Sequence, residues 1–388
     1  MNVTVIEPGA TLGVLGGGQL GAMFATAARR MGYATAVWDP DPEAPAHRLA
    51  DHSLINPFED ADARREFTRL VRAVTYEWEN IPADLCEQLE RAVPVRPSSR
   101  VLRVIQDRIE QKTFLRAQGL AVPLFSAMAS PEELGRQESL GYPLVCKTAT
   151  AGYDGKGQWK IARAEDCAAV RQELARNMRP GARWILEEWL PFEREVSILV
   201  VRGADGASRT YPLVENVHED GILRQTTVPA DVPAAIAEQA ADMARQAVQA
   251  LDGVGVFCVE LFLMSDDRVL INEVAPRPHN SGHYSLDACT VSQFEQQVRT
   301  LCGLPLGEIR LLSPAVMVNL IGDDVRSATT APAVQELLRE PGAIVHVYGK
   351  RAIRPKRKMG HVSFLAATRD AALAKAVSFR ARLIPTSC

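Results

Sequence analysis

The chain lacks a long apolar run, a surplus of charge of one sign and any leader-like start. Its 388 residues carry a net charge of −3, with 47% hydrophobic and 23% charged residues. This near balance of charge argues against a dedicated binder of nucleic acid or of an anionic membrane. No apolar run is long enough to span a bilayer. The basic start and apolar core of a secretory leader are missing, so we expect a cytoplasmic protein.

Paired cysteines are missing too. The seven cysteines are scattered, and no two of them form a Cys-x-x-Cys motif. This pattern predicts reduced thiols and argues against a cysteine-based zinc site. The length exceeds what one hydrophobic core normally serves, so we expect two or three domains.

The N-terminal part has the pattern of a parallel α/β domain. Thr11–Leu15 is predicted as a buried strand, and a glycine turn and an amphipathic helix follow it. Tyr33–Trp38 and Val71–Tyr76 are predicted as further strands of the same sheet. One helix is predicted over Arg100–Gln118, and Gly119 ends it.

We place the domain boundaries by these changes of pattern. Residues 1–119 form a Rossmann-like domain, 120–194 a small α+β unit and 195–388 a C-terminal α+β domain. Within the last, residues from about 314 to 388 form a small β-rich subdomain. In the small unit, the strand Tyr142–Thr148 and a short strand after residue 158 form a glycine-rich hairpin.

Two glutamates on a late hairpin are the most informative feature. A turn symmetric about Asp266 and Asp267 pairs residue 264 with 269, 262 with 271, and Glu260 with Glu273. Like charges placed opposite each other destabilise a sheet, and a magnesium ion between them would remove the conflict. The alternative is two glutamates that point to water from an exposed face.

A strand lysine and a glycine-rich loop suggest a nucleotide site. Three glycines between residues 152 and 157 let backbone amides approach a phosphate, and Lys156 adds a charge. Lys147 lies in an apolar strand and should have an anionic partner, such as a phosphate. The alternatives are a flexible hairpin turn and an edge lysine that reaches solvent.

Three other segments are candidates for binding. The loop from Ala275 to His283 places donors and a cation directly after Glu273, which favours a site over a bland surface loop. The strand end from Glu187 to Leu190 could read an adenine edge and hold ribose hydroxyls. The basic stretch from Lys350 to Lys358 could hold a substrate phosphate, although charge runs usually form a solvated face. A nucleic-acid patch is a third interpretation, against which the absence of interleaved aromatic residues argues.

The turn Gly16-x-Gly18-x-x-Gly21 also fits a dinucleotide site. It follows a strand and opens a helix, and Asp39 ends the next strand at the spacing that would hold a ribose. A substrate phosphate fits the same turn. A nicotinamide-dependent dehydrogenase therefore stays open at this point.

In this order, the strand lysine, the glycine-rich loop, the Glu-Glu strand end and the late glutamate pair resemble the ATP-grasp superfamily. The strings Gly-Gly-Gly-Gln-Leu-Gly, Gly-Tyr-Asp-Gly-Lys-Gly-Gln and Lys-Met-Gly-His are similar to those of the 5-(carboxyamino)imidazole ribonucleotide synthetase family. The most specific string runs from Asn272 to His283. The resemblance covers nearly the whole chain.

The resemblance implies an α/β ATP-grasp fold with an N-terminal Rossmann-like domain, a small lid domain and a C-terminal domain. It implies a carbon–nitrogen ligase of purine biosynthesis that carboxylates 5-aminoimidazole ribonucleotide with bicarbonate and ATP, through carboxyphosphate. It further implies Mg²⁺ without biotin, a homodimer, and hand-off of the product to the mutase that uses it. No nucleic acid and no membrane partner are implied.

The resemblance also assigns roles to residues. The metal ligands would be Glu260 and Glu273, and the catalytic residues Arg277, Asp154 and Lys358. ATP would contact Arg108, Lys147, Gly152, Tyr153, Asp154, Gly155, Lys156, Gly157, Gln158, Glu187, Glu188, Trp189, Leu190, Glu195, His218, Asn272 and Glu273. The ribonucleotide would contact Gln19, Leu20, Glu77, Tyr153, Arg277, His279, Asn280, Ser281, Lys350, Arg354 and Lys358.

Three positions depart from the usual patterns. Ala275 stands where many ATP-grasp enzymes have Asn, Lys156 where the lid often has Arg, and Lys356 where Gly is usual. Two other functions compete with the carboxylation: formate-dependent glycinamide ribonucleotide transformylase, another ATP-grasp ligase, and an inactive nucleotide-binding regulator.

Overall fold

In a computed structural model of the chain, the described residues are 4–136, 140–150, 152, 157–176, 178 and 180–383. Their strands form three sheets that succeed one another along the chain.

The first sheet is parallel and belongs to the N-terminal segment. Its strands and the accompanying helices are β1 (Thr11–Leu15), α1 (Gln19–Arg30), β2 (Ala34–Trp38), β3 (His52–Leu54), α2 (Ala61–Leu70), β4 (Ala73–Tyr76), α3 (Ala83–Glu90), α4 (Ser99–Gln106) and α5 (Arg108–Ala117). The strand order is β3-β2-β1-β4. The predicted Rossmann-like sheet is thereby confirmed. The loops after β1 and β4 leave the same edge, which places Gly16 beside Glu77.

The single helix predicted over Arg100–Gln118 is wrong, because the chain breaks between α4 and α5. Asp107 has an extended backbone at the break, with φ −113° and ψ 117°. Its carboxylate accepts the amide protons of Ile109 and Glu110 and thus caps the second helix. A carboxylate that bonds to the backbone in this way favours a helix start over a continuous helix. The break turns Arg108 toward the cleft described below.

The second sheet is antiparallel and small. Its elements are β5 (Phe125–Met128), β6 (Leu144–Thr148), β7 (Gln158–Ile161), α6 (Cys167–Arg176) and β8 (Trp184–Glu188). The strand order is β5-β8-β6-β7. The β6–β7 pairing confirms the predicted hairpin, with Lys147 opposite Gln158.

The third sheet is the largest. Its elements and helices are β9 (Arg194–Arg202), β10 (Ser208–Thr210), β11 (Val214–Glu219), β12 (Ile222–Val228), α7 (Ala234–Ala250), β13 (Gly255–Leu263), β14 (Val269–Ala275), α8 (Ser285–Ala288), α9 (Gln293–Cys302), β15 (Ala315–Ile321), α10 (Arg326–Thr329), α11 (Ala331–Arg339), β16 (Ala343–Val347), β17 (Lys358–Leu365) and α12 (Arg369–Arg380). The strand order is β14-β13-β9-β11-β12-β15-β17-β16, and β10 pairs with β9.

The strands predicted after Pro314 are present, but they continue the third sheet instead of forming a sheet of their own. β12 pairs with β15, and three helices accompany the terminal strands. The bounds of the predicted domains stay a prediction.

Both faces of the third sheet are covered, and the alternation along β13 sets the position of the site. Phe257, Val259 and Leu261 point into a core that α7 closes. Cys258 points to the opposite face, where it packs with residues of other elements. Because side chains alternate along a strand, Glu260 lies on the same face as Cys258, away from α7.

Candidate active site

The β13–β14 hairpin places Glu260 opposite Glu273, as predicted. The other two predicted pairs are wrong. Phe262 faces Leu270, because the turn is one residue shorter than a symmetric turn about Asp266 and Asp267. A bulge at Asn272 then inserts one residue into β14 and restores the glutamate pair. Bulges are frequent beside active sites, where they re-aim a side chain.

Glu260 forms an ion pair with a histidine of the loop that follows the hairpin. Its Oε1 lies 3.0 Å from Nε2 of His279. Burial works to raise the pKa of Glu260, but His279, His218 and Arg277 together outweigh burial and lower the pKa to about 2. Burial works to lower the pKa of His279, but Cys258 and Glu260 raise it to about 10. The pair is therefore charged at neutral pH.

The negative charge of Glu273 is less well balanced by neighbouring positive charges. Burial raises its pKa, and the negative charge of Glu260 raises it further. Arg108 opposes both effects, with Nη2 3.6 Å from Oε2 of Glu273. The side chain of Glu273 is 39% exposed, and this exposed part faces the cleft. The carboxylate therefore sits where a cation would relieve repulsion.

The two glutamates fit a hard divalent cation. Their carboxylates supply oxygen ligands, which Mg²⁺ prefers. Donor atoms of Cys258, Glu260 and His279 also lie within 4.8 Å of one another. Thiol and imidazole are softer ligands, so this second set suits magnesium less well than the glutamate pair does.

Lys147 does have the anionic partner that its position demands, although the partner is a protein group. Its Nζ lies 2.8 Å from Oε2 of Glu187, on the neighbouring strand β8. Lys112 approaches the other oxygen of Glu187 at 3.4 Å. Burial works to raise the pKa of Glu187, and the two lysines lower it to about 2. Glu187 therefore holds Lys147 at the cleft, and both of its carboxylate oxygens face lysine ammonium groups.

Lys112 was missed by the sequence reasoning. It is 2% exposed, and burial lowers its pKa to about 8. The signal was present in the sequence, because Ile109, Lys112 and Leu115 share one helix face at a spacing of three. A lysine on the same helix face as two apolar residues indicates a buried charge that has an anionic partner.

The strand end after Glu187 forms one wall of the cleft. The Glu188 carboxylate accepts the amide proton of Leu124 at 2.7 Å. Trp189 is half-exposed, and Nζ of Lys160 lies 4.0 Å from the centre of its ring. Opposite this wall, Glu195 pairs with His218. Burial works to lower the pKa of His218, but Glu195 raises it overall.

Arg277 is held by Glu79, a second residue that the sequence reasoning did not assign. Nε of Arg277 donates to the Glu79 carboxylate, and Nη1 donates to the carbonyl of Pro278 at 3.1 Å. Burial works to raise the pKa of Glu79, and Arg277 lowers it overall. Nη2 has no hydrogen-bond partner among the described residues. The ion pair therefore fixes the plane of a guanidinium that lines the cleft.

A network of buried hydroxyl groups holds the ring of His279 in position. Ser281 is 1% exposed, and its Oγ lies 2.9 Å from Nδ1 of His279 and 2.8 Å from Oγ of Ser197. Asn216 donates to Ser197 in turn. Ser281 thus positions His279, and it does not line the cleft.

The glycine turn after β1 is filled by the protein's own carboxylates. Glu77 accepts the amide protons of Gly18 and Gly21. Asp39 accepts the amide proton of Gly17 at 2.6 Å. A Cβ at Gly21 would lie 2.8 Å from the backbone carbonyl oxygen of Gly16, so the turn requires glycine there. A dinucleotide site would need these amides to bind a pyrophosphate and Asp39 to bind a ribose. In this structure the amides donate to Glu77 and Asp39, so both the amides and Asp39 are already engaged.

The basic stretch begins and ends at the cleft. Nζ of Lys350 donates to the carbonyl of Lys358 at 2.9 Å, so the two ends of the stretch are held together. Lys356 has φ 63°, in the left-handed region. The turn thus keeps the left-handed conformation that favours glycine. Lysine adopts it here at a conformational cost of roughly 1–2 kcal/mol.

These residues meet in one cleft of about 1420 Å³. Every predicted site residue that the structure describes lines it, except Gly157 and Ser281. Tyr153, Asp154, Gly155 and Lys156 lie outside the described residues. The predicted residues in the cleft are Gln19, Leu20, Glu77, Arg108, Lys147, Gly152, Gln158, Glu187, Glu188, Trp189, Leu190, Glu195, His218, Glu260, Asn272, Glu273, Arg277, His279, Asn280, Lys350, Arg354 and Lys358.

Three family models match the chain in succession. Residues 9–106 match the ribonucleotide synthetase preATP-grasp domain, and residues 113–294 match the ATP-grasp domain. Residues 315–375 match the phosphoribosylaminoimidazole carboxylase C-terminal domain.

Curated relatives match over nearly their whole length. The N5-carboxyaminoimidazole ribonucleotide synthase of Bacillus subtilis is 41% identical over 374 residues, which is 95% of each chain. The enzyme of the same name from Brucella melitensis is 40% identical, over 94% of this chain and 98% of its own.

Solved structures are similar in both fold and sequence. A crystal structure of the ADP complex of an N5-carboxyaminoimidazole ribonucleotide synthetase has a TM-score of 0.92, with 39% identity over 98% of each chain. A synthase from Aspergillus clavatus, in complex with ADP and 5-aminoimidazole ribonucleotide, has a TM-score of 0.86 and 34% identity. That match covers 96% of this chain and 98% of the other.

None of the helices in the described part of the chain combines the length and the apolar character that crossing a membrane requires.

Proposed function

The chain belongs to the N5-carboxyaminoimidazole ribonucleotide synthase family, and from this we propose that its cleft converts ATP, bicarbonate and 5-aminoimidazole ribonucleotide to N5-carboxyaminoimidazole ribonucleotide, ADP and phosphate. This is a step of de novo purine biosynthesis. The observation that carries the proposal is the opposed pair Glu260 and Glu273, in one cleft with Lys147 and Arg277. A nucleotide phosphate and a small anion can both be held there.

The ATP side of the cleft is the wall formed by the second sheet and α5. Lys147 reaches the phosphates with its ammonium group, which Glu187 holds in place at the cleft. Phosphoryl transfer depends mainly on positioning and charge neutralisation, which such groups supply. The proposed ATP contacts among described residues are Arg108, Lys147, Gly152, Gly157, Gln158, Glu187, Glu188, Trp189, Leu190, Glu195, His218, Asn272 and Glu273.

Mg²⁺ would be held by Glu260 and Glu273, where it would neutralise charge on the ATP phosphates. The ion pair with His279 occupies Glu260 on one side. Glu273, whose pKa is raised by burial and by Glu260, gains most from the cation.

The first chemical step forms carboxyphosphate. A bicarbonate oxygen bonds to the γ-phosphorus, the bond from that phosphorus to the bridging oxygen breaks, and ADP leaves with the electron pair. Arg277 stabilises the small anion, because its ion pair with Glu79 fixes a guanidinium that lines the cleft, and Nη2 has no hydrogen-bond partner among the described residues.

In the second step the exocyclic amine bonds to the carboxyl carbon, directly or after carbon dioxide is released. The carbon–oxygen bond to phosphate breaks and the amine loses a proton. The proposed ribonucleotide contacts among described residues are Gln19, Leu20, Glu77, Arg277, His279, Asn280, Lys350, Arg354 and Lys358. Ser281 acts through His279, and Lys358 would assist the reacting groups.

ADP release with each substrate omitted in turn tests this function. We expect turnover only when ATP, bicarbonate and 5-aminoimidazole ribonucleotide are all present. Formate with glycinamide ribonucleotide serves as the matched control, because a formate-using ligase would share the ATP site. Turnover with the formate pair, or no stimulation by aminoimidazole ribonucleotide, contradicts the proposal.

Replacing Arg277 with lysine should lower kcat roughly 100-fold and leave the KM for ATP nearly unchanged. Lysine keeps the charge but cannot bind Glu79 and a small anion through one planar group. Arg268→Lys is the control, since Arg268 is an exposed residue paired with Asp266 at the hairpin turn. A rise in the KM for ATP with an unchanged kcat would contradict this role and show that Arg277 contacts the nucleotide.

The remaining assignments concern assembly and location. The protein is proposed to act as a cytoplasmic homodimer and to pass its labile product to the mutase that consumes it. Sedimentation of the purified chain measures whether it is a dimer. Coupled assays with increasing concentrations of the mutase measure whether the product is passed on directly.

A further inference from the structure

A second group of ligand-type side chains lies outside the cleft, at the end of the third sheet. The antiparallel register of β16 and β17 places His346 directly opposite His361. Their rings stack, with centres 4.4 Å apart. From α8, Asp287 approaches Nε2 of His346 with its two oxygens at 3.0 and 3.1 Å. These three residues do not line the cleft.

Two buried imidazole nitrogens, one in this group and one beside it, have no hydrogen-bond partner in the part of the chain that the structure describes. His361 is 0% exposed, and its Nδ1 lies 2.9 Å from the Tyr348 hydroxyl. Its Nε2 has no hydrogen-bond partner among the described residues. His283, also 0% exposed with its ring centre 5.0 Å from that of His361, has an Nε2 in the same condition. A buried polar atom without a partner is uncommon and indicates a ligand or water that would satisfy it.

We propose that Asp287, His346 and His361 bind a divalent first-row transition ion of the zinc class. Ligand atoms of all three residues lie within 4.8 Å of one another. Around a tetrahedral zinc ion the ligand atoms are roughly 3.3 Å apart, given bonds of about 2.0 Å. The Asp287–His346 pair already has nearly this spacing, so the ion requires His361 to approach and its ring to turn out of the stack with His346.

The surroundings of the group fit a metal site. A ligating histidine usually has its second ring nitrogen in a hydrogen bond, and Tyr348 supplies that partner to His361. The side chain of His346 is 27% exposed, so an ion can enter from solvent. Two imidazoles with one carboxylate suit zinc-class ions, whereas the glutamate pair of the cleft suits magnesium.

The ion would join β16 and β17 to α8, which begins two residues after His283. The terminal strands would thereby be fastened to the segment that follows His279. A ligand that binds only the folded chain raises its stability, so the site would strengthen this end of the protein.

Titration of the full chain with Co²⁺ tests the proposal. The chain is freed of metal with a chelator and kept in saturating Mg²⁺ and ADP, so that the glutamate site is occupied. We expect the visible absorption of tetrahedral Co²⁺ to saturate at one ion per chain and to disappear when Zn²⁺ is added. Asp287→Asn and His346→Gln should each weaken Co²⁺ binding at least about tenfold. His52→Gln, at an exposed histidine of β3, should bind like the wild type.

A second measurement keeps the test decisive if a variant folds poorly. Zn²⁺ should raise the Tm of the wild type and of His52→Gln, and leave that of Asp287→Asn unchanged. No tetrahedral absorption at micromolar Co²⁺ would overturn the proposal. A signal that Cys258→Ser removes and Asp287→Asn keeps would overturn it as well, because the ion would then lie in the cleft.

Discussion

Glu273→Gln is expected to lower ATP turnover on the order of 100- to 1000-fold without lowering the stability of the protein. The loss of rate follows because one of two carboxylates that hold charge beside the phosphates is gone. The stability is preserved because Glu273 and Glu260 repel each other across the hairpin, and glutamine removes that repulsion. Activity and stability therefore separate in this variant. Steady-state ADP release and thermal unfolding, measured on the same preparation, check both.

Two companion variants sharpen the result. Asp266→Asn changes the same charge at the exposed turn of the hairpin and should leave both quantities unchanged. Glu260→Gln should lose activity and also stability, because it leaves the charged and buried His279 without its carboxylate. If Glu273→Gln keeps more than about a tenth of its activity, the metal assignment is wrong. An inactive nucleotide-binding regulator would show no turnover in the wild type either.

Glu187→Gln is expected to cost about 3–5 kcal/mol of unfolding free energy, the largest single effect on stability that we predict. Glu187 is 2% exposed and lies between two lysine ammoniums, at 2.8 Å from Lys147 and 3.4 Å from Lys112. Without it, two positive charges remain in a poorly solvated place and face each other. Chemical denaturation of wild type and variant measures the cost.

The double variant Lys112→Met/Glu187→Gln should recover at least half of that cost. It removes the deeper ammonium together with the carboxylate, and methionine fills a similar volume. Glu188→Gln is the matched control, because its amide oxygen can still accept the proton of Leu124. That change should stay within about 0.5 kcal/mol. Equal stability of the single and the double variant would show that the unpaired charge of Lys112 is not what destabilises Glu187→Gln.

The same pair predicts a dependence on pH. Burial lowers the pKa of Lys112 to about 8 in the folded protein, below the value of about 10.4 for an unfolded chain. A lysine with a lowered pKa destabilises the fold most below the folded value and ceases to do so above the unfolded one. Because the loss of Glu187 lowers the pKa of Lys112 further, the cost of Glu187→Gln should shrink as the pH rises toward about 8, where Lys112 loses its proton in the folded wild type as well. A cost that does not vary between about pH 6 and 8 would contradict the assignment.

Much of the fold could be predicted because its signals are local. The strand, glycine turn and helix from Thr11 to Arg30 follow from apolar spacing and a left-handed glycine. The break at Asp107 was missed, because the apolar spacing continues through it and only the carboxylate cap reveals it. A capping residue inside a periodic pattern competes with the helix, and pattern alone does not show which prevails.

By itself the sequence determined the family and the reaction, because both depend on short strings and on chain order. The predicted pairing of Glu260 with Glu273 holds only because the bulge at Asn272 offsets a turn that is one residue shorter than the symmetric turn assumed. The tertiary structure decided what those residues contact. The register shift at Asn272, the Lys112–Glu187–Lys147 group and the Glu79–Arg277 pair all join segments far apart in the chain. The tertiary structure also showed that Glu77 binds the amides of the glycine turn, a turn that in the sequence alone was compatible with a dinucleotide site. The physical reason is that burial and charge act through space, so a carboxylate's partner is set by the packing of sheets and helices.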